Sequence, residues 1–224
     1  MNGLFITGTD TDIGKTFLTA ALTKALRRMD IPALGLKPIV CGSREDAEEL
    51  QEASGMQLSL DEINPLWLQT PLSPYAASMI ENRQIQLEPV FDMIKLLERS
   101  YPGPFLIEGA GGWLVPITRD YWIRDLALSL QLPVLIVASI GLGTLNHTLL
   151  TVQSIRQSGG YPVGIVLNRF KQTDDAASLT NPGILQDLTG LPVYVLDEED
   201  DLEPIPLWLL GSCGVEAPRV VKSS

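Results

Sequence analysis

Histidine is almost missing from this chain: His147 is the only one among 224 residues. With no serine or cysteine pattern beside it, it reads as structural and not as a catalytic base. Two cysteines, Cys41 and Cys213, form neither a CxxC pair nor a disulfide framework, which suits a reducing compartment. Basic side chains are outnumbered 16 to 27, for a net charge of −11, which argues against the broad basic face that nucleic acid or an anionic membrane requires. The simplest meaning of that acidity is solubility, and any site for a polyanion must gather positive charge locally. No run approaches the ~20 apolar residues of a bilayer span. The opening "MNGLFITG" has no basic flank, and its apolar run is too short for a signal peptide. The expectation is a cytoplasmic protein with no nucleic-acid and no membrane partner.

What is present is the material of a sizeable core, with 45% hydrophobic and 19% charged residues. Short apolar runs at 4–7, 33–36, 104–108, 133–139, 163–168 and 192–196 mostly lack in/out alternation, as buried parallel strands do. Amphipathic segments of helical length lie between them at 14–29, 87–100, 122–131 and 144–158. The alternation predicts βαβ units and a doubly wound α/β sheet with helices on both faces. No linker is rich enough in Pro, Gly or Ser to divide the chain. The expectation is one domain over 1–224, with a solvated acidic loop at 197–201 and a loosely held tail over about 212–224.

The stretch "FITGTDTDIGKT" (5–16) follows an apolar run and opens a helical segment, the context in which a glycine loop becomes a phosphate-site hypothesis. Five residues separate Gly8 from Gly14, one more than in G-x-x-x-x-G-K-[ST]. The longer loop keeps its backbone N–H groups and the positive end of the helix dipole. Lys15 supplies a cation for β/γ phosphates and Thr16 a hydroxyl for Mg²⁺. Lys37, leaving a second strand, points into the same crevice or is a solvated edge residue. Glu108 ends a buried strand before "GAGG", where a carboxylate suits Mg²⁺ coordination. Asp46 reaches that metal or starts an exposed acidic helix. Asn168, at a strand end, offers an amide to an adenine edge or simply forms a turn. Gly141, Gly143 and Asn146 leave free N–H groups at a helix start, suited to a carboxylate.

"TGTDTDIGKT", "KPIVCGS", "SPYAAS", "EGAGGWLVP" and "GLGTLNHTLLT", in this order from residue 5 to about 170, resemble the signatures of the dethiobiotin synthetase family; the five-residue gap is itself a mark of that family. The resemblance implies a P-loop NTPase-like fold and an ATP- and Mg²⁺-dependent ring closure of 7,8-diaminononanoate with CO2 or bicarbonate. One amine traps CO2 as a carbamate, the carbamate takes the γ-phosphoryl group, and the second amine closes the cyclic urea. It further implies that Thr11, Lys15 and Lys37 serve catalysis, and that Asp12, Ile13, Gly14, Lys15, Thr16 and Phe17 wrap the phosphates. By the same resemblance Thr16, Asp46 and Glu108 hold Mg²⁺, while Gly109, Ala110 and Gly111 lie along the nucleotide. Asn168 reads adenine, with further base contacts near 194–199. Thr11, Lys37 and Cys41 meet the substrate, and Leu142 and Asn146 receive its carboxylate across a homodimer interface. Two departures stand out: Cys41 where Ser or Thr is common, and Tyr75 where His is common. A ParA/MinD-like switch ATPase is the rival reading; such proteins carry an additional lysine near the loop's start, where this chain has Thr7, Gly8 and Thr9.

Overall fold

A computed structural model describes residues 1–169, 176–197, 202 and 205–215. The expected tail beyond 215 and most of the acidic loop, 198–201, lie outside the described residues. In chain order the elements are β1 (Gly3–Gly8), α1 (Lys15–Arg28), β2 (Leu34–Leu36), β3 (Ile39–Cys41), α2 (Glu45–Ala53), α3 (Leu60–Ile63), β4 (Leu66–Leu68), α4 (Pro74–Ile80) and α5 (Glu88–Ser100). There follow β5 (Phe105–Gly112), α6 (Ile123–Leu130), β6 (Val134–Ser139), α7 (Thr144–Gln157), β7 (Pro162–Asn168), α8 (Ala176–Thr189), β8 (Val193–Leu196) and α9 (Leu207–Ser212).

The six apolar runs of the sequence become one six-stranded sheet, ordered β2-β5-β1-β6-β7-β8, with every pairing parallel. Their lack of alternation follows from double-sided burial. Leu4, Ile6, Leu135 and Val166 face one core layer with Leu18 and Leu22 of α1 and Leu209 of α9. Phe5, Ile107, Ile136 and Ile165 face the other, with Ile94 of α5, Leu126 of α6 and Ile155 of α7. Among the described residues, no helix is long and apolar enough to cross a membrane.

The topology places the crevice. From β1 the chain winds outward to β2, returns through β5 beside β1, and then winds the other way through β6, β7 and β8. Strand order therefore reverses around β1 and β5, and ligands of open α/β sheets bind beyond the carboxyl ends at that reversal. The register aligns Ile6 with Glu108, a shift follows, and Gly8 aligns with Gly112. Glu108 is thus carried to the start of the glycine loop.

The chain also makes an excursion that the sequence pattern does not announce. Between β2 and β5 it builds a small parallel sheet of β3 and β4, with Ile39 opposite Leu66 and Cys41 opposite Leu68. Strands of three residues are too short to show a period. Helix α2 meets one of the two expectations for Asp46, the start of an exposed acidic helix: Glu45, Asp46 and Glu48 occupy its first turn, while Ala47, Leu50 and Ala53 are buried. Helix α8 carries Pro182 in its interior. A proline there removes one helix bond and crowds a carbonyl, and the adjoining Gly183 weakens helix propensity further. Asn181 ties this helix to the end of β6, donating to the Ile140 carbonyl at 2.8 Å.

Candidate functional site

The long glycine loop closes on itself. Lys15 Nζ donates to the Asp10 carbonyl at 2.8 Å, and Asn168 Nδ2 donates to the Ile13 carbonyl at 2.9 Å. Gly14 caps α1 with φ 85° and Asp12 has φ 55°, both in the left-handed region. A Cβ on Gly8 would stand 2.6 Å from Ile13 Cδ1 and 2.9 Å from the Asp10 carbonyl, so the fold-back of the extra residue requires glycine there. The loop keeps the N–H cradle while its additional length is folded over the end of β1.

Charge converges behind it. Lys15, Lys37 and Glu108 are 5%, 7% and 1% exposed. Lys37 Nζ lies 2.9 Å from Glu108 Oε1 and 3.3 Å from Thr16 Oγ1, and it also bonds Asp46 Oδ2. Thr16 Oγ1 in turn donates to Glu108 Oε1 at 2.9 Å. Two ammonium groups and two carboxylates therefore form a compact cluster, the condition under which charges can be buried at all. Burial pulls the Lys15 pKa below its ordinary value, and the neighbouring Lys37 cation adds to that despite Glu108. For Lys37 burial acts in the same direction, but Glu108 and Asp46 outweigh it and hold its pKa above the ordinary value. Lys37 is thus firmly charged.

Two cavities meet at this cluster. One, of about 330 Å³, is walled by Gly14, Lys15, Thr16 and Glu108. The other, of about 420 Å³, runs past Cys41, Pro71, Leu72, Ala110 and Val115. Thr11, Asp12, Lys37, Asp46 and Gly111 line both. The first is a charged, polar corner and the second a half-apolar room, with Lys37 in the wall between them. The thiol of Cys41 is pushed up to about 11 by burial and by Glu81, so it is a neutral lining group and not a nucleophile.

The expected residues divide into four groups. Thr11, Asp12, Gly14, Lys15, Thr16, Lys37, Cys41, Asp46, Glu108, Ala110 and Gly111 come together around the two cavities. Ile13 and Phe17 are half-buried. Gly109 sits under the site, where a Cβ would press on Ile123 at 2.9 Å and on the Phe5 ring at 3.2 Å, and Asn168 is buried against the loop. Leu142 and Asn146 are exposed and line neither cavity, and Leu142 is 94% exposed. His147 is likewise exposed on the first turn of α7. Sequence reasoning did not single out Pro71, Leu72 or Val115, although Pro71 and Leu72 directly precede "SPYAAS" and Val115 stands within "EGAGGWLVP".

The donor set suits a hard divalent cation. Thr16 Oγ1, Asp46 and Glu108 already surround one cationic atom, Lys37 Nζ, and the buried Glu108 Oε2 has no hydrogen-bond partner. Oxygen ligands of this kind, few in number, are what Mg²⁺ uses when phosphates and water complete its shell.

Residues 2–204 match a family model described as an AAA domain. The chain is 42% identical over 207 residues to a protein of Anaeromyxobacter sp. (strain K) named ATP-dependent dethiobiotin synthetase BioD, covering 90% of this chain and 92% of that one. It is 37% identical to the protein of the same name from Akkermansia muciniphila, covering 86% and 90%. Among solved structures it is similar in fold to the septum site-determining protein MinD from Pyrococcus horikoshii complexed with Mg-ADP, with a TM-score of 0.54, 15% identity and coverage of 95% and 93%.

Proposed function

Because this chain belongs to the ATP-dependent dethiobiotin synthetase family, we propose that its two adjoining cavities serve the two halves of one ring closure. The polar corner takes the ATP phosphates, and the half-apolar room takes 7,8-diaminononanoate with CO2. One amine of the substrate adds to CO2 and loses a proton, giving a carbamate. A carbamate oxygen attacks the γ-phosphorus as the bond to ADP breaks. The second amine then attacks the carbamate carbon, phosphate leaves, a proton is lost, and the cyclic urea of dethiobiotin remains.

The observation that carries this reading is Lys37, a charged, buried ammonium in the wall shared by the two cavities. A carbamate and a triphosphate repel each other, and fixed positive charge in a water-poor crevice offsets that repulsion more strongly than in bulk. Lys15 and the loop N–H groups act on the transferring phosphoryl group; Lys37 and Thr11 act on the carbamate. The chemistry asks for positioning and charge, with little acid–base work, which a chain with one histidine can supply. Thr16, Asp46 and Glu108 would hold Mg²⁺, whose contribution when bound is to neutralise phosphate charge.

On the same reading, Gly109 to Gly111 lie along the nucleotide. Asn168 and residues 194–197 flank the adenine, and the contacts expected at 198 and 199 lie outside the described residues. The chain acts as one domain in a cytoplasmic homodimer, in which Leu142 to Asn146 of one subunit receive the substrate carboxylate bound to the other. The decisive assay supplies the diamine, bicarbonate and Mg-ATP and follows dethiobiotin by mass spectrometry. Dethiobiotin, ADP and phosphate are expected in equal amounts. Rapid ATP turnover with neither co-substrate, and no dethiobiotin, would replace the reading with a nucleotide-switch ATPase.

A further inference from the structure

Lys15, Thr16 and Glu108 stand on the main sheet or on the helix leaving it, but Asp46 belongs to the excursion between β2 and β5. The main sheet holds α2 by its far end, where Gly35 N donates to the Ser54 Oγ at 3.0 Å, which leaves the first turn with Asp46 to be set by other contacts. Helix α2 buries only the small stripe Ala47, Leu50 and Ala53. Apolar packing is non-directional, so such a stripe resists sliding of the helix only weakly.

Directional contacts sit at its start. The Arg44 carbonyl accepts from Glu48 N at 2.9 Å, opening α2, while the Arg44 side chain reaches to the end of α3. There Nη2 donates to the Leu60 carbonyl at 2.9 Å and to the Asn64 carbonyl at 3.2 Å. The guanidinium lies 5.5 Å from the Trp67 ring centroid, and the Trp67 Nε1 donates to the Gly42 carbonyl at 2.8 Å. The arginine side chain is only 16% exposed, whereas its ionic partner Asp61 is 86% exposed. A pair of that kind is worth little, so the carbonyl contacts are what anchor the side chain.

The same α3 terminus grips Lys37 from the other side. Lys37 N donates to the Ile63 carbonyl at 3.2 Å. Asn64, 2% exposed, points Nδ2 at the carbonyls of Lys37 (3.2 Å), Pro38 (3.4 Å) and Leu66 (2.9 Å). One buried asparagine therefore holds the backbone of the reacting lysine with its side chain and the arginine of α2 with its own carbonyl. We propose that Arg44 and Asn64 are positioning residues which, through the end of α3, set Asp46 and Lys37 at one separation and so define the divalent-cation site. This inference rests on Asp46 as a ligand of that cation.

The test is a double-mutant cycle of Arg44→Met and Asp46→Asn, read by Mn²⁺ titration in the presence of ADP, with loss of the free-ion EPR signal as the signal. Arg44→Met keeps the stem over Trp67 and removes the forked donors. It is expected to weaken Mn²⁺ binding by about tenfold, the usual cost of losing an outer support of a metal ligand. ADP affinity without metal should stay within about twofold, well below one decade of binding free energy. In the Asp46→Asn background the same change is expected to add almost nothing. Equal weakening in both backgrounds, or none in the wild-type background, overturns the proposal. If Asp46→Asn alone leaves Mn²⁺ binding unchanged, it is the ligand assignment of Asp46 that fails first. Should Arg44→Met not fold, Arg44→Lys takes its place in the cycle, since it keeps charge and stem but cannot reach two carbonyls.

Discussion

At the glycine loop, Lys15 and Lys37 keep 5% and 7% of their surface; Lys15 bonds the Asp10 carbonyl, and Lys37 is packed among Glu108, Asp46 and the Thr16 hydroxyl. At the start of α7, by contrast, Gly143 caps the helix with φ 94°, no side chain caps it, and the preceding Leu142 stands 94% exposed. In the first region the ammonium groups find their partners within the chain, Lys37 in Glu108 and Asp46 and Lys15 in a loop carbonyl. The second presents free helix N–H groups beside bare apolar surface. A site assembled from both needs a second surface to cover the leucine and a carboxylate to meet the amides; the proposed homodimer with shared substrate would supply both. The contrast teaches that the first region's charges are met within the chain, whereas the second is completed only in the proposed homodimer.

The comparison breaks most visibly at Lys37. Lys37→Ala should lower dethiobiotin formation by about 100- to 1000-fold, the range for removing one preorganised electrostatic donor. Nucleotide affinity, followed by fluorescence, should move far less. Turnover within threefold of wild type would mean that Lys37 does not touch the reacting charge. Next in size is Glu108→Gln, which keeps a partner for Thr16 but leaves two ammonium groups facing each other. A loss of about 3 kcal/mol in urea unfolding is expected, as for other buried pairs deprived of one member.

Leu142→Asp probes the opposite region. Stability should stay within about 0.5 kcal/mol, as for other exposed positions, while the KM for the diamine rises by roughly tenfold, or about 1.4 kcal/mol. Sedimentation should show a weakened dimer. An unchanged KM together with an intact dimer would remove this helix start from the site.

An effect confined to alkaline pH, and absent at neutral pH, concerns Cys213, whose thiol burial pushes up from 9.0 to about 12. The folded state therefore favours the protonated thiol, so its contribution to stability is complete below pH 9 and is lost as pH rises toward 12. Between these values wild type should lose about 1.4 kcal/mol per pH unit more than Cys213→Ala does. Urea midpoints for the two proteins at a series of alkaline pH values would measure it.

The sequence made the first region legible and the second only half so. Continuous apolar runs declared the six strands because both faces of each are covered. The lysines and Glu108 could be read because they stand at strand and helix ends, which an alternating β/α pattern locates. Of the excursion from residue 39 to 68 only the acidic helix start at Asp46 showed; its two strands, as short as β2, pair with each other outside the main sheet and fall outside the β/α alternation. Helix α8 was concealed by the Asn181-Pro182-Gly183 step. Arg44 and Asn64 had no signature at all, because their partners are backbone carbonyls, which every residue carries. Asn168 showed as a strand-end amide, but its bond to the Ile13 carbonyl joins residues 155 positions apart and only the fold reveals it.

The wall that Lys37 forms between the two cavities also bears on inhibition. A compound joining a nucleotide phosphate mimic to a short aliphatic chain would pass directly beside that ammonium on its way from one chamber to the next. An anionic linker at the crossing point would be attracted there, and a cationic one repelled. Tethered inhibitors with the charge at the joint, and not at either tip, are accordingly the ones this architecture should hold most tightly.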